Sequence, residues 1–336
     1  MCVRVGIIPG DPGGIGPELV AQLLSRKEDH PKVNVLLIGD RHVFERGQHN
    51  ANVAYDLKKI NKSVNEWSEN HPVAIYEVDS IVPKDVQIGK VTRTSGVSTL
   101  TVLDNALKLW QEGVIDALVF GPFNKAAMHQ AGIGKSDELH YMAKKLNTKN
   151  YICELNTLGG IWTSRVTSHI ALRAVADSIN PNRIREAVML IDRTLKRSGI
   201  KYPRISVAAL NPHAGDGGNF GREEIELIEP VVRELSRAKI KVDGPWPADT
   251  IFLKASRSEI DAVVTMYHDQ GQIALKLLGF DRGVTVQGGL PFPVTTPAHG
   301  TAFDIAGKGV ADPGAFIAAF QVAADMAINW EKEEGL

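Results

Sequence analysis

At 336 residues, with 38 Lys and Arg against 39 Asp and Glu, the chain has a formal charge of -1, and 43% of it is hydrophobic. That is enough for one large domain or two smaller ones with a substantial core. The near-neutral, dispersed charge excludes the strongly basic or acidic field of a nucleic-acid or membrane-surface protein. Cys2 and Cys153 are the only cysteines, too few for a disulfide framework or a thiolate zinc site. The opening run to Gly10 is too short and interrupted for a leader, and no stretch approaches the roughly 18 apolar residues of a membrane span. The expectation is a cytoplasmic protein that binds neither membrane nor nucleic acid.

Along the chain, β-branched runs alternate with helical periodicity, the pattern of a parallel sheet covered by helices. Val3 to Ile8 reads as a strand, followed by a glycine turn, a helix from about Pro17 to Ser25 and a second strand from Val33 to Ile38. Leu100, Leu103, Leu107 and Trp110 mark a helix ending at Gln111, which leads into the strand Ala117 to Phe120. Further strand–helix units follow around Arg165, Ile205 and Ala262. Long helices are expected near Pro181–Arg197 and Glu223–Ala238, and an alanine-rich helix from Pro313 to about Trp330 closes the chain. No repeat or flexible tether is evident. A two-lobed α/β protein fits, and a cleft between lobes is the default site.

Three of these strands run toward a histidine: Arg165-Val166-Thr167-Ser168-His169, Ile205 through Asn211-Pro212-His213, and Ala262 through Tyr267-His268. In an open α/β sheet, ligands gather at the carboxyl ends of the strands. Three imidazoles delivered to that edge suit one divalent metal with a coordination position left for substrate. Any one of them alone is more simply a polar loop residue.

The turn Gly10-Asp11-Pro12-Gly13-Gly14-Ile15-Gly16-Pro17-Glu18 follows a strand and opens a helix. Its glycines do not fit G-x-G-x-x-G and no Walker Lys-Ser follows. It reads either as an anion site at a helix start or as a tight structural turn. Asp249, in Gly244-Pro245-Trp246-Pro247-Ala248-Asp249-Thr250, is either a proton acceptor beside a metal or the cap of a helix starting near Thr250. Lys125, after the strand ending at Phe120, is either a point charge for a carboxylate or phosphate or a solvated helix-start residue. The small residues in His299-Gly300-Thr301-Ala302 permit close approach of a ligand to the backbone.

Taken in order, Pro9 to Glu18, Leu210-Asn211-Pro212-His213-Ala214-Gly215, Gly244 to Thr250, Met266-Tyr267-His268-Asp269-Gln270-Gly271 and His299-Gly300-Thr301-Ala302 closely resemble the 4-hydroxythreonine-4-phosphate dehydrogenase family, essentially from end to end. The resemblance implies two αβα lobes of the isocitrate/isopropylmalate dehydrogenase-like fold with the site in the cleft. It puts the first lobe at about 1–130 plus 270–336 and the second at 131–269. It also implies a homodimer, NAD or NADP, and one divalent ion (Zn, Mn, Co or Mg) held by His169, His213 and His268 and shared between subunits. The reaction implied is oxidation of a secondary alcohol β to a carboxylate, followed by decarboxylation. Asp249 and Lys125 become the acid/base candidates, and His299 to Ala302 the cofactor contact.

One part of the family pattern is broken. Where family members acting on phosphorylated substrates carry Gly-His-Thr-Glu, this chain has Asp137-Glu138-Leu139-His140, so that a His-Thr pair becomes Glu138-Leu139. The family's phosphate-contacting Asn and Arg fall on Thr285 and Val294, while its Lys is kept as Lys276. A dianion needs donors and positive charge, so the expectation is a non-phosphorylated hydroxy acid. The alternatives are the pyridoxine-pathway enzyme itself, with Lys135 or Arg282 compensating, a non-catalytic binding homologue and, less favoured, an acyl-phosphate transferase.

Overall fold

The computed structural model describes residues 2–26, 33–60, 73–134, 136–279 and 282–334. The chain divides into two compact units, one formed by 1–148 with 290–336 and the other by 149–289. The expected breaks at 130 and 269 therefore move. Tyr141 and Lys145 both bond Asp104, at 2.8 and 2.6 Å, which keeps residues 131–148 with the first unit. A helix runs unbroken through residue 269, and the strand after it pairs inside the second unit.

The first unit holds β1 (Arg4–Ile8), β2 (Asn34–Gly39), β3 (Lys58–Lys59), β4 (Val73–Glu77) and β5 (Ala117–Phe120), together with β12 (Val294–Pro297). They lie in the order β3-β4-β2-β1-β5-β12, every pairing parallel. Its helices are α1 (Gly16–Ser25), α2 (Arg41–Ala51), α3 (Arg93–Gln111), α4 (Lys125–Gln130), α5 (Glu138–Lys145) and α11 (Gly314–Glu334). Phe44, Phe120, Phe316 and Phe320 are fully buried here, each contributing about 1.5–3 kcal/mol by leaving water. The third helix starts seven residues before the expected Leu100, because Thr92 caps it by accepting from Ser95 N–H at 3.0 Å. Its polar first turns hide it from a search for apolar periodicity.

In the second unit, β6 (Cys153–Leu158), β7 (Ile161–Arg165), β8 (Ile205–Ala208), β9 (Val242–Trp246), β10 (Ala262–Thr265) and β11 (Val284–Gly288) run in the order β11-β6-β7-β10-β8-β9. Strands β7, β10, β8 and β9 are parallel, whereas β6 is antiparallel to both neighbours. The parallel-only expectation misses this hairpin. Gly159 and Gly160, at φ +56° and +88°, form its two-residue turn and set the register Leu158 to Ile161. The remaining helices are α6 (Val175–Ser178), α7 (Pro181–Arg197), α8 (Glu229–Arg237), α9 (Ile251–Ser256) and α10 (His268–Leu278). The helix expected near Glu223–Ala238 forms, with a π-helical turn, Glu224–Ile228, leading directly into α8. Among the described residues no helix is long and apolar enough to cross a membrane.

Candidate active site

Because β7, β10, β8 and β9 are parallel neighbours, their carboxyl ends share one edge of the second unit. His169 lies four residues past β7, His268 opens α10 after β10, and His213 follows β8 in a seven-residue turn. Asp249 follows β9 at the same edge. The rings of His169 and His268 come within 5.6 Å, centroid to centroid. His213 stands instead against Phe220, at 6.3 Å. Among the described residues of one chain, no group of three or more His, Cys, Asp or Glu is placed to hold a metal.

Local structure constrains two of these histidines. His268 Nδ1 donates to Asp269 Oδ1 at 2.7 Å, which leaves Nε2 as the nitrogen able to bind a cation. His213 to Gly217 all have left-handed backbone angles, a conformation that persists only when its surroundings hold it. Glu224, 3% exposed, supplies part of that hold: its carboxylate accepts from the Leu210 and Asn211 N–H groups, each at 2.8 Å, and from Asn211 Nδ2 at 2.9 Å. Sequence reading missed Glu224. Asp249 is exposed, and α9 begins with no side-chain cap, so the capping alternative for Asp249 is not realised.

In the first unit, β1, β5 and β12 are likewise parallel neighbours, and their carboxyl ends deliver the Gly10–Gly16 turn, Lys125 and the His299–Ala302 loop to one edge. The turn and the loop are in contact: Ile15 N–H donates to Thr301 O at 3.1 Å, and a Cβ on Gly14 would stand 3.1 Å from Thr301 Cβ. Asp11 makes an anion site at the turn unfavourable. It is fully buried, its Oδ1 accepts from Gly13 N–H at 2.8 Å, and burial raises its carboxyl to about 6. Burial also pushes the His299 imidazole below its ordinary pKa, against the pull of the Gly300 carbonyl and Asp312. Ala302 takes a left-handed φ of +42°.

The residues read as a vanished phosphate pocket are placed differently from that expectation. Leu139 is 2% exposed and Val294 is 0% exposed, so both are core side chains and say little about pocket charge. Glu138 turns its carboxylate toward Lys125, 3.8 Å away. Thr285 Oγ1 accepts from Asn156 Nδ2 at 3.0 Å. Asn156 Oδ1 in turn accepts from Gln272 Nε2 at 2.6 Å and Arg165 Nη1 at 3.2 Å. Arg165 is 4% exposed and pairs with Glu154 at 2.8 Å. Lys276 is exposed on α10, Arg282 is exposed, and Lys135 lies outside the described residues.

Comparison with known proteins settles the kinship. The family model described as "Pyridoxal phosphate biosynthetic protein PdxA" matches residues 31–323. The chain belongs to this family. A Pseudomonas aeruginosa protein provisionally named 4-hydroxythreonine-4-phosphate dehydrogenase 2 is 47% identical over 326 residues, 96% of each chain. D-threonate 4-phosphate dehydrogenase of Pectobacterium atrosepticum is 36% identical, covering 96% of this chain and 99% of that one. The crystal structure of 4-hydroxythreonine-4-phosphate dehydrogenase from Klebsiella pneumoniae superposes with a TM-score of 0.82 at 32% identity, covering 97% of this chain and 98% of that one. Terephthalate 1,2-cis-dihydrodiol dehydrogenase from Burkholderia xenovorans superposes at 0.69 and 27% identity, with the same coverage. Isocitrate dehydrogenase from Methylococcus capsulatus, 16% identical with a TM-score of 0.50, covering 98% of this chain and 89% of that one, shares the fold. The isocitrate dehydrogenase-like α/β class expected from sequence is therefore correct.

Proposed function

We propose that this chain is a metal-dependent cytoplasmic dehydrogenase that oxidises the secondary alcohol β to the carboxylate of a 4-phosphorylated four-carbon hydroxy acid, with NAD or NADP as hydride acceptor. The observation carrying this reading is the delivery of His169, His268, His213 and Asp249 to one sheet edge. It is supported by a family whose relatives above are named for 4-hydroxythreonine 4-phosphate and D-threonate 4-phosphate. This replaces the expectation of a non-phosphorylated substrate, which rested on residues 138, 139, 285 and 294, two of which (139 and 294) are core side chains. Lys276 is the cation nominated for the phosphate.

His169, His213 and His268 would hold the divalent ion, their ligand sets shared between two copies of the chain. Ile170 (43% exposed), Leu172 (71%), Ile273 (59%) and Leu277 (83%), which adjoin His169 or lie on the helix opened by His268, favour such a homodimer. The ion would supply Lewis acidity to a chelated alcohol and carboxylate. Asp249 would accept the hydroxyl proton, Lys125 is the second proton-transfer candidate, and the nicotinamide, when bound, would supply the hydride acceptor. The β-keto acid so formed loses CO₂ and takes up a proton at the adjacent carbon. His299, Gly300, Thr301 and Ala302 would hold the nicotinamide cofactor.

A second reading keeps the same chemistry on a non-phosphorylated diol or sugar acid. It is favoured by the solved structure named for terephthalate 1,2-cis-dihydrodiol. Steady-state NAD reduction with Mn²⁺ or Zn²⁺ separates the two. D-threonate 4-phosphate and 4-phosphohydroxy-L-threonine are compared with their unphosphorylated counterparts. Efficient turnover confined to the unphosphorylated acids would overturn the first reading.

A further inference from the structure

Glu18 stands in the first turn of α1 and is only 1% exposed, where an unpaired charge is costly. Both carboxylate oxygens are spent on a single loop. Oε1 accepts from Gly307 N–H, and Oε2 accepts from Gly309 N–H at 3.0 Å. Those amides end the segment that begins at His299. Gly307 and Gly309 take left-handed φ values of +82° and +67°, and glycine offers the chain many other conformations. A buried anion that binds both amides selects one of them. The head of the same loop is tied to the start of α1 through Ile15 N–H and Thr301 O. One helix start therefore grips the segment at both ends. Arg46, half-buried on α2, is a cation whose charge faces Glu18 and Asp11.

We propose that Glu18 is a positioning residue for the nicotinamide cofactor, holding residues 299–309 in the binding conformation before the cofactor arrives. The proposal rests on the reading that places the cofactor at His299–Ala302. A preformed loop lowers the ordering cost of binding. The charge matters because a neutral amide at position 18 would offer one acceptor and turn an NH₂ group toward a backbone N–H.

The test is isothermal titration of NAD⁺ and NADP⁺ into full-length wild type and Glu18→Gln, with hydrogen exchange of residues 299–309 and Mn²⁺ titration on the same samples. Loss of charged hydrogen bonds should weaken cofactor binding by at least about ten-fold. Exchange at 307 and 309 should speed up, KM for the cofactor should rise more than kcat falls, and Mn²⁺ affinity should not move. Faster exchange with unchanged cofactor affinity overturns the proposal while leaving the cofactor site standing. A wild type that binds neither NAD⁺ nor NADP⁺ overturns the cofactor reading and the proposal with it. Should Glu18→Gln fail to fold, Glu18→Asp keeps the charge but shortens its reach and must weaken cofactor binding in the same direction. The wild type must also show slow exchange at 307 and 309 before cofactor is added.

Discussion

The imidazoles of His169 and His268 face each other at 5.6 Å with their planes tilted by 43°, although they follow different strands and are far apart in the chain. Two imidazoles brought that close could share one cation, and under the proposed function His213 would be the third ligand. Replacing His213 with Ala should therefore strip most Mn²⁺ or Zn²⁺ and nearly all activity while circular dichroism is unchanged. Asp269→Asn, which weakens the support of His268 Nδ1, should cost about 10–100-fold in metal affinity. Full metal content in His213→Ala, measured by plasma emission, would remove His213 from the site.

Cofactor binding should protect more than one segment. Since Ile15 N–H donates to Thr301 O, NAD seated on 299–302 should slow exchange at Gly14 and Ile15 as well as in the loop. Peptide-level hydrogen exchange reads this directly. Protection confined to residues 10–18, with 299–302 unaffected, is the opposite outcome.

Asp11 should make stability pH-dependent in a defined direction. Its carboxyl is raised from an ordinary 3.8 to about 6 by burial, opposed by the Gly13 amide and the charge of Arg46. A raised carboxyl favours the folded state while protonated. That contribution is whole below about 3.8 and is lost as pH rises through 6, at a cost on the order of 3 kcal/mol. Asp11→Asn should remove this decline, so the two denaturation midpoints, matched to each other at low pH, separate between pH 4 and 7. Parallel curves across that range would contradict the argument.

The Arg165–Glu154 pair is almost entirely out of water, with side-chain exposures of 5% and 15%. Breaking it from one side leaves a buried charge uncompensated, so Glu154→Ala should cost about 3–5 kcal/mol in urea unfolding. Replacing both partners, Glu154→Leu with Arg165→Met, should recover most of that loss. A double variant as unstable as the single one would mean that packing, rather than charge, dominates there.

How much of this was readable depends on which physical signal each feature carries. Strands β8 and β10 are largely apolar runs, so they and the histidines beyond them stood out. The β6–β7 hairpin carried an equally physical cue in Gly159-Gly160 between alternating runs, but Asn156 and Thr157 diluted it. The buried polar set was hidden because Glu154, Asn156 and Arg165 look like surface residues until their strands are paired. Leu139 and Val294 misled for the converse reason. A substitution at a motif position bears on a pocket only if the side chain reaches it, and only coordinates show that these two lie in the core. Glu18 was visible as part of a motif, but its partners lie at the far end of the chain.

The division of the chain also fixes an order of assembly. The second unit is one uninterrupted stretch, 149–289, whereas the first needs its last strand, β12, from beyond residue 290. On the ribosome, the five earlier strands of the first unit must wait with the flank of β5 uncovered while the whole second unit is synthesised and free to fold. Truncation shortly after residue 289 should thus leave the second unit intact and the first unfinished, a natural target for chaperones.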